Sequence, residues 1–336
     1  MADAIDRRTS PGHLVMIGIP GLELDDSTRS LICDEGVHNF ILFRRNVRDR
    51  EQLASLCGAL REACAGQGLP RPLIAIDQEG GQVARLPPPF TLFAEPRSLA
   101  ESPDCHSLLR QYAATCAAEL VSVGINFNLA PVLDVCPAGK GLFMERRCLG
   151  EDPRRVAELG ALVVSGLQKA GVAACAKHFP GLGSALLDPH LELPVVDVPD
   201  ERLLEDDLTP FMAAIKAGVA AVMTSHAVYA ALDGALPGTL SRTVIHDLLR
   251  GRCGYDGMIV TDDMEMGAIE KFVDFPEAVA KAFQAGADLV LICHDHHKIR
   301  QALAALRGIV STESDGQGRV EDSLRRQAAI LEWAAA

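Results

Sequence analysis

Residues 177–190 gather the types that do chemistry: Lys177, His178, Asp188 and His190, spaced by Phe179-Pro180-Gly181-Leu182-Gly183-Ser184-Ala185-Leu186-Leu187 and Pro189. They begin at the end of an apolar run, residues 172–176, and continue into Gly- and Pro-rich chain. A cation, two imidazoles and a carboxylate there read as an active-site loop leaving a buried parallel strand. In an extended segment residues i and i+2 face the same side, and Pro189 biases Asp188 towards that backbone. Asp188 can then accept a hydrogen bond from the His190 ring, fix its tautomer and raise its basicity, as a general acid and base requires. The same pair also suits a solvated loop with no reaction.

A second candidate is Asp262-Asp263, directly after the apolar residues 258–261. A strand-end Asp is rigidly placed, as a nucleophile must be. Side chains alternate along a strand, so one of the two faces the site. Periodicity does not say which, and either also suits a helix N-cap. The run Cys293-His294-Asp295-His296-His297 is dense in metal-ligand types. Adjacent residues do not readily converge on one ion, so it reads as a polar loop opening a helix, with no metal or other cofactor expected.

Eight short apolar runs could position these groups: residues 14–19, 39–43, 73–76, 125–129, 172–177, 221–224, 258–261 and 288–293. Their near-continuous hydrophobicity fits strands buried on both faces. Amphipathic helical segments lie between them, at 51–65, 105–123, 153–170, 201–217 and 278–285. Asp152-Pro153 supplies an N-cap and first-turn proline, and Gly171, Gly218 and Gly286 supply stops. This cadence predicts a single-domain (β/α)₈ barrel over residues 1–336. It would have long connections after Ile76 and across 134–152, a polar link at 311–318, and a C-terminal helix around 320–333. The 311–336 segment is counted with the barrel. An open dinucleotide-binding sheet is the rival, but no G-x-G-x-x-G follows the first strand.

Barrel enzymes do their chemistry at the C-terminal ends of the strands. At those ends stand Asp77 to Arg85, Asp134, Arg146 and Arg147, the 177–190 stretch, Ser225 and His226, Asp262 and Asp263, and residues 294–297. Of 336 residues, 48% are apolar and 23% charged, with net charge −13. That balance argues against nucleic acid or an anionic membrane as partner. The first residues contain no apolar leader core, no run reaches 18 apolar residues, and the ten cysteines include no C-x-x-C pair. The expectation is a cytoplasmic protein with reduced, mostly buried thiols.

Taken together, these motifs resemble glycoside hydrolase family 3, in particular its single-domain bacterial β-N-acetylglucosaminidases. The likeness is carried by Asp77-Gln78-Glu79-Gly80-Gly81, Asn128 to Val135, Arg147 to Gly150 with Asp152-Pro153, Lys177 to Gly181, Asp188-x-His190, and Thr261 to Met266. The resemblance implies a retaining mechanism with Asp262 as nucleophile, His190 as acid/base and Asp188 as its partner. It implies that Asp77, Arg85, Arg147, Lys177 and His178 hold a terminal N-acetylglucosamine. It further implies a monomeric, cofactor-free enzyme that takes N-acetylglucosamine from peptidoglycan-derived anhydro-muropeptides during cell-wall recycling. The chain departs from the family pattern at Leu182, Ser184, Ala185, Pro189 and Thr261, none of which removes a group assigned above. Three other readings remain: a phosphorylase using the same site, a non-catalytic sugar-binding protein, and a metal hydrolase.

Overall fold

The computed structural model describes residues 10–334; the first nine residues, read above for a leader, and the last two lie outside them. The strands are β1 (Val15–Gly18), β2 (Asn39–Leu42), β3 (Ile74–Ile76), β4 (Phe127–Asn128), β5 (Ala173–Phe179), β6 (Val195–Val196), β7 (Ala221–Thr224), β8 (Val228–Tyr229), β9 (Asp233–Pro237), β10 (Met258–Asp263) and β11 (Leu289–Ile292). Eight of them close a parallel barrel in the order β1-β11-β10-β7-β5-β4-β3-β2. These eight are the apolar runs of the sequence, and the fold is the expected (β/α)₈ barrel.

Alternation divides each strand between two dry layers. Met16, Ile41, Ala75, Phe127, Cys175, Met223, Val260 and Leu291 fill the barrel interior. Val15, Ile17, Phe40, Leu42, Ile74, Ile76, Ala174 and Val222 pack outward under the helices. Two buried faces explain why the runs look uniformly apolar. The helices Arg50–Gly66, Cys105–Val123, Pro153–Lys169, Leu208–Lys216 and Phe275–Ala285 cover the outer layer. Asp152 caps its helix as expected, accepting from the backbone N–H groups of Arg154 and Arg155.

Some boundaries differ from expectation. The segment expected as one helix over 201–217 contains a widened π turn at Leu203–Asp207. It lies directly before Pro210, which offers no N–H and whose ring crowds the carbonyl four residues back. The polar link expected at 311–318 is shorter, because one helix continues to Thr312 and the next, Gly316–Ala334, begins four residues on. That last helix is no loose tail. Ile330 packs against the barrel interior from the N-terminal end, and Gln327 bonds the His13 carbonyl and the Asn39 amide. A small sheet, β6-β8-β9, was not foreseen. Two of its strands are two residues long, too short for a periodic signal. All ten cysteines are free, and all but Cys33 are buried.

Candidate active site

The C-terminal ends of the barrel strands surround a cleft of about 460 Å³ lined by Asp77, Arg85, Arg147, Lys177, His178, His190 and Asp262, with Val83, Phe143, Leu182, Pro189 and Met266 as apolar wall. Seven of the eight residues singled out in the sequence thus meet in one place. The eighth, Asp188, stands behind His190 and accepts from its Nδ1 at 2.6 Å and its backbone N–H at 3.0 Å.

Two irregularities in the ladder aim these side chains. In β5 the pairing with β7 shifts between Ala176 and Phe179. Regular alternation would send one of Lys177 and His178 away from the mouth; the extra residue lets both line the cleft. In β10 the pairing with β11 shifts between Val260 and Asp263. There Asp262 lines the cleft and Asp263 does not. Asp263 instead accepts from the Glu265 N–H at 3.1 Å and faces His294 at 3.7 Å.

The floor of the cleft is an ion network. Lys177 Nζ bridges Asp77 Oδ1 at 2.8 Å and Glu79 Oε1 at 2.7 Å. Arg147 grips Glu79 with Nε and a terminal nitrogen at 2.9 and 2.8 Å, a bidentate geometry that fixes the guanidinium plane. Arg85 reaches Asp77 at 3.3 Å. Burial alone would raise the Glu79 carboxyl, but Arg147 and Lys177 hold it well below the usual range. Sequence reading missed Glu79. The signal was present, since Asp77 and Glu79 stand i, i+2 like Asp188 and His190.

Asp262 and Asp263 differ chemically as well as in direction. Burial pushes the Asp262 carboxyl up, but His178, His226, Lys177 and the Asp263 N–H bring it below its ordinary value. That N–H donates to Asp262 Oδ1 at 2.8 Å. Asp263 accepts the Glu265 N–H, but burial, with the Glu265 and Asp262 carboxylates nearby, outweighs that bond and raises it to about 7. The surroundings of Asp262 favour its anion, while those of Asp263 favour its protonated form. Two further residues support the site. His226 Nε2 donates to the Asp263 carbonyl at 2.9 Å, and Asp134 takes the Nδ1–H of His178 at 2.8 Å.

The loop from Gly181 to His190 is fastened at both ends. Leu182 and Ala185, two of the departures noted above, are buried against Val196, Leu203, Ala227 and Tyr229. Ser184 accepts from Arg202 at 2.8 Å. At the far end Gly267 and Ala268 donate to the carbonyls of His190 and Pro189. The Cys293–His297 donors disperse: Asp295 caps its helix through the His297 N–H, His296 meets Ser27, and His294 meets Arg45.

A barrel mouth with a buried cation–carboxylate floor, an ionised Asp and an Asp-supported His suits the binding and cleavage of a sugar. The sequence matches the family model described as glycosyl hydrolase family 3 N terminal domain over residues 8–330. The chain belongs to glycosyl hydrolase family 3. Among relatives in this family, the β-hexosaminidase of Thiobacillus denitrificans is 38% identical over 301 residues, 87% of this chain and 81% of that one. The Pseudomonas aeruginosa β-hexosaminidase is 32% identical over 324 residues, 95% of each. The family 3 β-N-acetylglucosaminidase of a Paenibacillus species superposes with a TM-score of 0.92 at 40% identity, over 99% of this chain and 63% of that one. The β-N-acetylhexosaminidase of Beutenbergia cavernae gives 0.88 at 31% identity over 99% of each. By family, the chain is a glycoside hydrolase.

Proposed function

We propose that this family 3 member is a retaining exo-β-N-acetylglucosaminidase. The observation that carries the reading is the sharing of one cleft by an ionised Asp262 and the Asp188–His190 pair. Asp262 attacks the anomeric carbon as the bond to the leaving oxygen breaks. His190, with Nδ1–H held by Asp188, gives its Nε2 proton to that oxygen and becomes neutral. Water then attacks the glycosyl–Asp262 ester, returns a proton to His190 and releases the sugar. Asp77, Arg85, Arg147, Lys177 and His178 offer donors and acceptors for the hydroxyls of the terminal N-acetylglucosamine. Peptidoglycan-derived muropeptides are the proposed natural substrates, in keeping with the bacterial β-hexosaminidases among its relatives.

The test is turnover of an aryl β-N-acetylglucosaminide with and without inorganic phosphate. Free N-acetylglucosamine as sole sugar product, unaffected by phosphate, supports the hydrolase. A sugar 1-phosphate would make the enzyme a phosphorylase, because a neutral imidazole does not repel an incoming anion as a carboxylate does. No turnover in either condition would leave only a binding protein.

A further inference from the structure

Asp134, introduced above only as a neighbour of His178, is fully buried and joins two parts of the site. It follows β4, and its carboxylate collects N–H donors from two directions. Oδ2 takes the His178 ring Nδ1–H at 2.8 Å. Oδ1 takes the Leu182 backbone N–H at 2.6 Å, and the His178 backbone N–H is shared between Oδ1 at 3.2 Å and Oδ2 at 3.3 Å. We infer that Asp134 is a positioning residue that sets the tautomer of His178 and ties that ring to the loop bearing His190. The inference rests on the glycosidase reading for its kinetic consequence but not for its geometry.

An ionised carboxylate only accepts hydrogen bonds. Beside Asp134, His178 must therefore carry a proton on Nδ1. Its other nitrogen, Nε2, faces the cleft with Asp262 Oδ2 4.0 Å away. The ring is held at the level of the nucleophile, and Nε2 alone is left to meet substrate. The bond to Leu182 does similar work for the backbone. Leu182 follows Gly181, whose own N–H returns to the His178 carbonyl at 2.9 Å. A Cβ on Gly181 would lie 2.9 Å from that of Asp207. The loop thus leaves β5 through a tight turn, and Asp134 pins the first residue beyond it. One carboxylate coordinates both the ring that faces Asp262 and the root of the chain that presents His190.

An amide of the same shape cannot do this. Asn at 134 keeps one acceptor oxygen, and the Leu182 N–H, the shortest of these contacts, holds it on the Oδ1 side. The oxygen stays there, and the NH₂ group then faces His178 Nδ1. The ring answers by moving its proton to Nε2. A wrong tautomer in an otherwise intact site costs a serine protease triad about 10⁴-fold; roughly 10²-fold or more is expected here.

The experiment is nitrogen NMR of protein labelled with ¹⁵N-histidine, with the His178 signals assigned from the His178→Gln variant. Wild type should show His178 protonated at Nδ1, and Asp134→Asn should show it neutral and protonated at Nε2. On an aryl β-N-acetylglucosaminide, Asp134→Asn should lose roughly 10²-fold or more in kcat/KM. The double variant Asp134→Asn/His178→Gln should lose no more than His178→Gln alone. A neutral wild-type ring carrying its proton on Nε2, or losses that multiply in the double variant, would overturn the inference. The wild-type spectrum keeps the test open even if Asp134→Asn folds poorly. An inactive wild type that still shows the Nδ1 proton would sink the proposed reaction and leave this assignment standing.

Discussion

The two ends of the barrel solve the same electrostatic problem and use the answer differently. At the C-terminal mouth Glu79 lies between Arg147 and Lys177. At the N-terminal floor Asp288 lies between Arg250 and Arg326 at 2.6 and 2.9 Å. Both carboxylates are removed from water, and each is tolerable only because it is paired. The difference is in what surrounds the pair. Asp288 also accepts from the Ile259 N–H and the Ser323 hydroxyl, and the last helix seals it in. Around Glu79 the network opens instead, through Asp77 and Arg85, into the cleft. A closed ion cluster is a joint; the same cluster with one open side is a binding surface.

This contrast predicts that mouth variants lose activity and keep the fold, while floor variants do the reverse. The largest effect is expected for Asp262→Asn. Turnover of an aryl β-N-acetylglucosaminide should fall by about 10³-fold or more, with the melting temperature close to that of wild type, since the amide keeps an acceptor for the Asp263 N–H. A melting temperature that falls with the activity would break the contrast at its strongest point. His190→Ala should cost roughly 10²–10⁴-fold on substrates with poor leaving groups, and far less on activated aryl glycosides, which need no proton. Equal losses on both would remove His190 from acid/base duty.

On the floor, Asp288→Ala removes the buried carboxylate shared by two partly buried guanidinium groups and leaves the Ile259 N–H without its acceptor; it should destabilise by about 3 kcal/mol. Measured per folded molecule, kcat/KM should stay within twofold of wild type. A large loss of kcat/KM in the folded fraction would mean that floor and mouth are coupled through the barrel interior.

The remaining effects are pH-dependent and opposite in sign at the two ends. His38, buried near the floor beside His13, is pushed down to about 3 by burial and by that neighbour. Its unfolded value is about 6.5, so the fold excludes the proton. Stability from keeping it neutral is complete above pH ~6.5 and falls by about 1.4 kcal/mol per unit below it. The stability advantage of wild type over His38→Gln should therefore shrink on acidification from pH 7 to 5. Asp263 at the mouth runs the other way. Its folded value of about 7 exceeds the unfolded ~3.9, so its penalty grows as pH rises from ~4 to ~7. Asp263→Asn should gain stability relative to wild type over that interval, and little below it. Parallel slopes for the two variants in denaturation titrations would remove the distinction.

The barrel was legible because both faces of its strands are buried, which makes an apolar run visible without knowing its partner. Asp188 and His190 were legible because their contact is local, two residues along an extended chain. Periodicity could not tell Asp262 from Asp263, and only the family resemblance chose between them, because a ladder shift in β10 overrides simple alternation and depends on β11. The importance of Glu79 was hidden because its cations are Arg147 and Lys177, far away in the chain. The C-terminal helix could be recognised by its periodicity, but not its berth. That berth is made by Asp288, His13 and Asn39, which only the closed barrel brings together.

The ion network at the mouth also bears on how a sugar would be received. Asp77, Glu79, Arg147 and Lys177 are locked to one another by ion pairs of their own. Immobilising a rotamer-rich side chain on association costs about 0.5–1.5 kcal/mol each. Here that ordering is complete when the chain folds. On the proposed function, a sugar arriving in the cleft would meet donors and acceptors that are preset, and selectivity among epimers would be a matter of rigid complementarity. A hydroxyl of the wrong configuration would find side chains that cannot swing to meet it without breaking the mouth network apart.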